Sequence, residues 1–369
     1  MREQYPKPFS LAFCLEDTVS EAVVEDAEKE LFRILEQISS NLAVKSFYLP
    51  LIFIRIRSPQ QLKSLAALYH PFSHVLRGFI LPKFFIENCA DYIRTIQELS
   101  VSYPDYYYMP IFESTGMIDL RTRYENLSLV KQQLDTVSDR ILNIRVGGND
   151  LSHAFGLRRS VHDTIYDIKP VANLLVDIVT TFAPQYVVSG PVWEYFAGDG
   201  WEEGLRRELS LDLLSGFIGK TVIHPNQIPV VNDMLKVSSQ DYKDACEIAG
   251  WDQNSELLVS SSTDATRMNE YKTHFNWANK TLHRARVYGI RDILFPCPCM
   301  HASETVCSLP QCLTHAACRG PFFDPRTVYR MTPDRRSLSL FGTGFFCFSD
   351  YVSLKNPFIC FLTKQVYML

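Results

Sequence analysis

The sequence predicts an α/β chain wound into a closed barrel of parallel strands, and three observations carry that expectation. Short runs apolar on both faces alternate with longer amphipathic runs, unit after unit, from Phe9 to His224, the pattern of parallel strands each followed by a crossover helix. The repeats continue long enough to favour the TIM (β/α)8 arrangement over an open sheet. Charged residues gather directly behind the apolar runs, where such a barrel builds its active site. Composition agrees: 369 residues, 46% hydrophobic and 21% charged with ordinary Gly and Pro counts, exclude disordered, collagen-like and coiled-coil chains.

Taken in order, the expected strands cover residues 10–15, 49–56, 76–81, 107–112, 141–146, 186–189 and 221–224. Between the first two, residues 21–39 place Val23, Val24, Ala27, Leu31, Ile34 and Leu35 at spacings of three and four, the stripe of a helix with one buried face. Residues 1–236 are therefore expected to form the barrel domain, and residues 237–289 a helical segment behind it. Near Gly289 the chain changes character, because seven of its ten cysteines crowd into residues 290–369. His301 and His315 stand among them, a mixture that zinc prefers, but no Cys-x2-Cys pair occurs and the gaps match no common finger. This Cys-rich tail reads as a disordered or atypical extension rather than a zinc site, an altered reading frame being one origin for it. Cys14, Cys89 and Cys246 read as reduced thiols.

Lys plus Arg 37 against Asp plus Glu 41 leaves a formal charge of -4, so no general positive field invites nucleic acid. The amino terminus lacks the apolar core of a signal peptide, and no run approaches the roughly 18 apolar residues of a membrane span. A cytoplasmic protein without a membrane partner is expected.

The strand ends carry the candidate chemistry. Glu113 follows the fourth apolar run, and Asp150 follows the fifth behind Gly147 and Gly148. Two carboxylates on neighbouring strand ends suit a hard divalent cation, Mg2+ or Mn2+, which takes one or two carboxylates and fills its shell with water or substrate oxygen. The competing reading is that Glu113 caps a helix and Asp150 makes a turn. The paired glycines favour a site, since they let backbone approach a ligand; Gly148 and Asn149 are accordingly substrate-binding candidates. Arg55 offers a planar fork to a substrate carboxylate and Lys83 a second cation, with a rim salt bridge as the alternative for each. Arg57 is expected on the opposite face from Arg55, in a structural role. Glu16 and Asp17 follow the first strand, with helix capping the alternative for Asp17. His224 and His153 read equally as packed or catalytic groups.

These residues also carry a resemblance. Leu15-Glu16-Asp17-Thr18-Val19, Arg55, Leu81-Pro82-Lys83, Glu113-Ser114-Thr115-Gly116, Gly147-Gly148-Asn149-Asp150-Leu151 and the stretch from Gly219 to Ile228 stand in the order seen in the citrate lyase beta-subunit-like family of the HpcH/HpaI aldolase superfamily. The resemblance spans residues 9–289. Trp277-Ala278 and Arg284-Ala285-Arg286-Val287-Tyr288-Gly289 further resemble a subgroup of carbon-carbon bond lyases associated with tellurite-resistance gene clusters.

It implies a magnesium-dependent TIM-barrel lyase that cleaves or forms a bond next to a carbonyl through a metal-stabilised enolate, on an acyl-CoA or related acidic substrate. By the same resemblance Glu113 and Asp150 hold the metal and Arg55 meets the substrate. Residues 237–289 would form a lid, and the assembly would be a homo-oligomer. Thr266-Arg267-Met268-Asn269-Glu270 matches the lid motif with two departures: no glycine, and Glu270 where many members carry a catalytic aspartate. The extra methylene moves that carboxylate by about an ångström, a displacement able to cost on the order of a hundredfold in rate. Two other readings stand beside this one, a barrel that binds a metabolite or partner without turnover and an aldolase acting on a free 2-oxo acid.

Overall fold

The structure, a computed structural model, describes residues 8–45, 47–252 and 254–291 and the backbone of residues 361–364. The described residues fall into two compact units, 8–234 with 361–364, and 235–291.

In the first unit strands and helices alternate: β1 (Ser10–Cys14), α1 (Val24–Val44), β2 (Leu51–Arg55), α2 (Pro59–Tyr69), β3 (Leu76–Leu81), α3 (Cys89–Ser102), β4 (Tyr107–Phe112), α4 (Arg123–Asp135), β5 (Ile144–Val146), α5 (Gly148–Ala154), α6 (Lys169–Phe182), β6 (Val188–Ser189), α7 (Trp201–Ser215), β7 (Lys220–Val222) and α8 (Gln227–Leu235). Strands β1 to β6 lie side by side in chain order, every pair parallel. Gly190 and Lys220 add a parallel bridge between the ends of β6 and β7. The TIM-type barrel expected from the apolar runs is thus present. One component was not expected: the place between β1 and β7 is held by β12 (Phe361–Lys364), whose backbone pairs antiparallel with both.

The double apolarity of the strands has a direct structural meaning. Phe13, Ile54, Phe79 and Tyr108 stand in register and face outward, into one core with helix residues such as Leu35, Leu65 and Ile96. Their neighbours Ala12, Phe53, Ile80, Met109 and Ile111 face inward and form a second, smaller core. Each large aliphatic or aromatic side chain buried this way contributes about 1.5–3 kcal/mol. Helix α1 buries Ala27, Leu31, Ile34, Leu35 and Ile38, the stripe its spacing predicts. Helix α2 starts where Ser58 accepts a hydrogen bond from Gln61 N–H at 3.1 Å, with Pro59 at its first turn.

Five of the seven strands are shorter than expected, and for two of them the local reason is visible. Ile141 makes only an isolated bridge to Tyr108, so β5 begins at Ile144. Strand β7 stops at Val222, because Gln227 Oε1 accepts from the N–H groups of both Ile223 (2.9 Å) and His224 (3.3 Å) and turns the chain.

The second unit comprises β8 (Val237–Ser238), α9 (Ser239–Ala249), the antiparallel pair β9 (Val259–Ser261) and β10 (Met268–Glu270), α10 (Tyr271–Tyr288) and β11 (Ile290–Arg291), which pairs with β8. Ala245, Ile248 and Ala278 form the seam between α9 and α10. Arg267 reaches Asp241 at 2.7 Å and lies over the Trp277 ring. The seven tail cysteines and the zinc question lie outside the described residues. No helix among the described residues is long and apolar enough to cross a membrane.

Candidate active site

The inward alternation of the strands brings a set of charges to one end of the first unit. Arg55 is the last residue of β2, Glu113 follows β4, Asp150 lies in the first turn of α5, and Glu16 and Asp17 follow β1. All but Glu16 line a cavity of about 130 Å3, together with Asn149, with Ala12, Ile80 and Ile111 beneath them and Arg145 and Thr221 on its wall.

Arg55 organises the acids. Its Nη2 lies 2.5 Å from Glu16 Oε2, 3.0 Å from Asp17 Oδ2 and 3.0 Å from Glu113 Oε1. Its Nε is buried with no hydrogen-bond partner among the described residues, so one donor of the fork remains to be filled. Burial opposes its charge, but Glu113, Glu16 and Asp17 outweigh burial and raise its pKa. Lys83 Nζ donates to Glu16 Oε1 at 2.7 Å and Asp17 Oδ1 at 3.3 Å. The backbone of Lys83 matters as much as its charge. At φ 48° it sits in the left-handed region, and its N–H points at Glu113 Oε1, 3.0 Å away. A non-glycine residue held there is strained by about 1 kcal/mol or more.

Glu113 is 4% exposed. Burial is the main influence on its carboxyl, Arg55 opposes it and Asp150 adds repulsion, so the pKa is pushed up to about 7. Gly147 is required beside it, because a Cβ at that position would lie 2.1 Å from Glu113 Oε2. Gly148 is buried against Pro191, where a Cβ would fall 2.7 Å from the proline Cβ. Gly148 therefore accommodates protein, and the cavity wall is made by the residues on either side of it, Gly147 and Asn149.

Arg57 corrects one expectation. Residues two apart on a strand share a face, so alternation cannot turn it away from Arg55; instead β2 ends at Arg55, and Arg57 donates to the carbonyls of Leu15 (2.6 Å), Glu16 (3.1 Å) and Val19. Its role is to pin the loop that carries Glu16 and Asp17. His224 stacks on Phe196 at 4.4 Å, and its Nδ1 accepts from Asn226 N–H at 3.2 Å; burial lowers its pKa. His153 is exposed in the last turn of α5. Glu270 closes β10 in the second unit, with its N–H donating to His274 Nδ1 at 3.0 Å.

With this geometry in view, comparison with known proteins is decisive for the family. A family model described as a C-C bond lyase of the TIM-barrel fold matches residues 1–290. The chain belongs to this family. Among solved structures this lyase-family chain is similar to RipC from Yersinia pestis, at 18% identity over 60% of this chain and 86% of that one, with a TM-score of 0.43. It is similar also to CitE from Mycobacterium tuberculosis, a structure in complex with magnesium, acetoacetate and coenzyme A, at 18% identity over 75% and 89% of the two chains and a TM-score of 0.48. Methylaspartate ammonia lyase from Citrobacter amalonaticus follows at 13% identity, 63% and 59% coverage and a TM-score of 0.34. No curated protein matches.

In this C-C bond lyase family member the cavity brings together Arg55, Glu113, Asn149 and Asp150 of the expected site residues. Lys83 stands one contact away, on Glu16 and Asp17. Sequence reasoning missed Arg145 and Thr221. The available signal was a charged residue in the middle of a strand that otherwise reads as buried on both faces.

Proposed function

We propose that this protein is a magnesium-dependent carbon-carbon lyase acting on a carboxylate-bearing acyl substrate, with Glu113 and Asp150 as the metal ligands and Arg55 as the group that meets the substrate. The observation carrying this reading is that both carboxylates border one cavity with Arg55 at the C-terminal ends of barrel strands. The donor set fits the ion. Carboxylate oxygens are the hard ligands magnesium takes, one or two at a time, and no group of three His, Cys, Asp or Glu side chains converges among the described residues as a closed transition-metal cage would need. When bound, the ion supplies a Lewis acid for the negative charge that develops on a carbonyl oxygen as the neighbouring bond breaks.

The chain's own residues do the rest. Arg55 Nη2 and the Lys83 N–H hold Glu113 in place through one oxygen, Oε1. The unfilled Arg55 Nε supplies a buried donor for a substrate oxygen. Ala12, Ile80 and Ile111 give the cavity an apolar floor, which excludes water and strengthens every charge interaction above it. The thioester form of the substrate and an acid-base role for Glu270 rest on the sequence resemblance alone.

The test is product release from a panel of carboxylate-bearing acyl-coenzyme A thioesters and free 2-oxo acids, with Mg2+ and with a chelator. Release should require Mg2+ and fall by about a hundredfold or more in Asp150→Asn. Release that ignores the chelator, or none across the panel with folded, metal-loaded protein, would contradict the reading.

A further inference from the structure

Glu16 is a buried carboxylate with no part yet in the proposed chemistry. It is 8% exposed and does not line the cavity, so it stands behind the site. Parallel pairing of β1 with β2 sets Cys14 beside Arg55, and Leu15 N–H donates to the Arg55 carbonyl at 2.9 Å, which brings Glu16 to the arginine. Arg57 Nη2 fixes the Glu16 backbone by donating to its carbonyl at 3.1 Å. Both carboxylate oxygens are engaged. Oε1 accepts from Lys83 Nζ at 2.7 Å; Oε2 accepts from Asp17 N–H at 3.2 Å and lies 2.5 Å from Arg55 Nη2. That last contact is shorter than the 3.0 Å that separate the same nitrogen from Asp17 and from Glu113.

We propose that Glu16 is a positioning residue of this site, one that holds the Arg55 guanidinium against the metal carboxylate Glu113. The route is short. Glu16 Oε2 and Glu113 Oε1 share one nitrogen, Arg55 Nη2, so Glu16 acts on Glu113 through the arginine. A guanidinium is planar, and fixing Nη2 among carboxylates also fixes the direction of Nε, the buried donor left unfilled for the ligand. A divalent cation taken up by Glu113 repels the guanidinium on that carboxylate. A second buried anion on the same nitrogen opposes the repulsion. Asp17 reaches this nitrogen too, but its side chain is half exposed, and water screens its attraction. Lys83 Nζ, also half exposed, occupies the other oxygen of Glu16 and leaves Oε2 to Arg55. The inference deepens the metal-lyase reading and rests on Glu113 as a ligand, and part of it can be tested without metal.

Glu16→Gln removes the charge, whereas Glu16→Asp keeps it and withdraws it by one methylene. Both should weaken Mg2+ by about tenfold or more in calorimetric titration of the full chain. In an Arg55→Gln background, Glu16→Gln should change Mg2+ affinity by less than about twofold, because the residue through which it acts is gone. A contribution from charge alone would leave Glu16→Asp near the wild type and persist without Arg55. A purely structural role would lower the melting temperature and leave Mg2+ affinity where it was. Crystals of the metal-free variants supply a second readout, in which Arg55 Nη2 should have left Glu113 Oε1. Thermal melts establish that each variant is folded; if Glu16→Gln is not, Glu16→Asp decides. Mg2+ affinity unchanged in the folded variants, full affinity in Glu16→Asp, or Arg55 and Glu113 unmoved in their crystals would overturn the proposal. Failure of the metal reading looks different: no Mg2+ binding by the wild type, with Arg55 still displaced from Glu113 in the variants.

Discussion

Two charge clusters lie on opposite sides of the same barrel wall, and the contrast between them separates a site from a structural staple. In front, Arg55 and Lys83 meet Glu16, Asp17 and Glu113 at the edge of a cavity. Behind β7, Lys220 Nζ is clasped by Glu208 Oε1 at 2.6 Å and Asp212 Oδ2 at 2.7 Å, with Arg159 Nε 3.4 Å from Glu208 Oε2. Tyr166 O–H donates to Asp212 Oδ1 at 2.7 Å, and Ile165 N–H to Glu208 Oε2 at 2.8 Å. Lys220 and Thr221 are neighbours, yet strand alternation sends Lys220 out beneath α7 and Thr221 in toward the cavity. The rear cluster pairs two cations with two acids and has no exposure at Lys220 or Glu208. The front cluster borders open space, carries an excess of acid and crowds Glu113 with Asp150. Sealed and balanced charges hold elements together; accessible and unbalanced ones leave room for a ligand, as the proposed function requires.

The rear cluster should give the largest stability effect. Lys220→Met leaves Glu208 and Asp212 buried without their common partner and should cost about 3–5 kcal/mol in urea unfolding, whereas Glu113→Gln at the front should cost little stability while abolishing metal binding. Equal losses would erase the distinction between the clusters.

Acidity sharpens it next. A carboxyl whose pKa rises from 4.5 unfolded to about 7 folded contributes stability that is complete below pH 4.5 and is lost as pH rises through 7, on the order of 3 kcal/mol in all. Metal-free protein should therefore lose stability between those pH values, and Glu113→Gln should flatten that slope. Mg2+ needs the ionised carboxylate, so its affinity should climb over the same range and level off above pH 7. A flat profile for both quantities would show that Glu113 is not crowded as described.

A smaller effect concerns the strained loop. Lys83→Gly keeps the N–H that holds Glu113 and relieves the left-handed backbone, so Mg2+ affinity should stay within about threefold; Lys83→Val keeps the N–H but should lose roughly 1–2 kcal/mol of stability. If Lys83→Gly instead abolishes metal binding, the side chain and not the backbone carries the role.

Much of this was legible in the sequence, and the limits have physical causes. Strands buried on both faces announced the barrel, and the rule that charges behind such strands converge located Arg55, Glu113, Asn149 and Asp150. Arg145 escaped because a search of strand ends does not examine strand centres. Lys220 with Glu208 and Asp212, four apart on α7, escaped because local spacing does not say which acids a strand residue will meet across the fold. Strand β12 had no legible alternation behind it, and its place is defined by pairing with β1 and β7 alone. The glycine pair reads as room for a ligand; Gly147 does line the cavity, close to Glu113, while Gly148 packs against Pro191.

The central claim is that Glu113 and Asp150 together form a divalent-metal site, and calorimetric titration of metal-stripped protein with Mg2+ and Mn2+ tests it most directly. Wild type should bind one ion saturably, and folded Glu113→Gln and Asp150→Asn should each lose that binding. Binding that survives in both variants, or no binding by the wild type with or without a carboxylate-bearing acyl-coenzyme A thioester, would contradict the account.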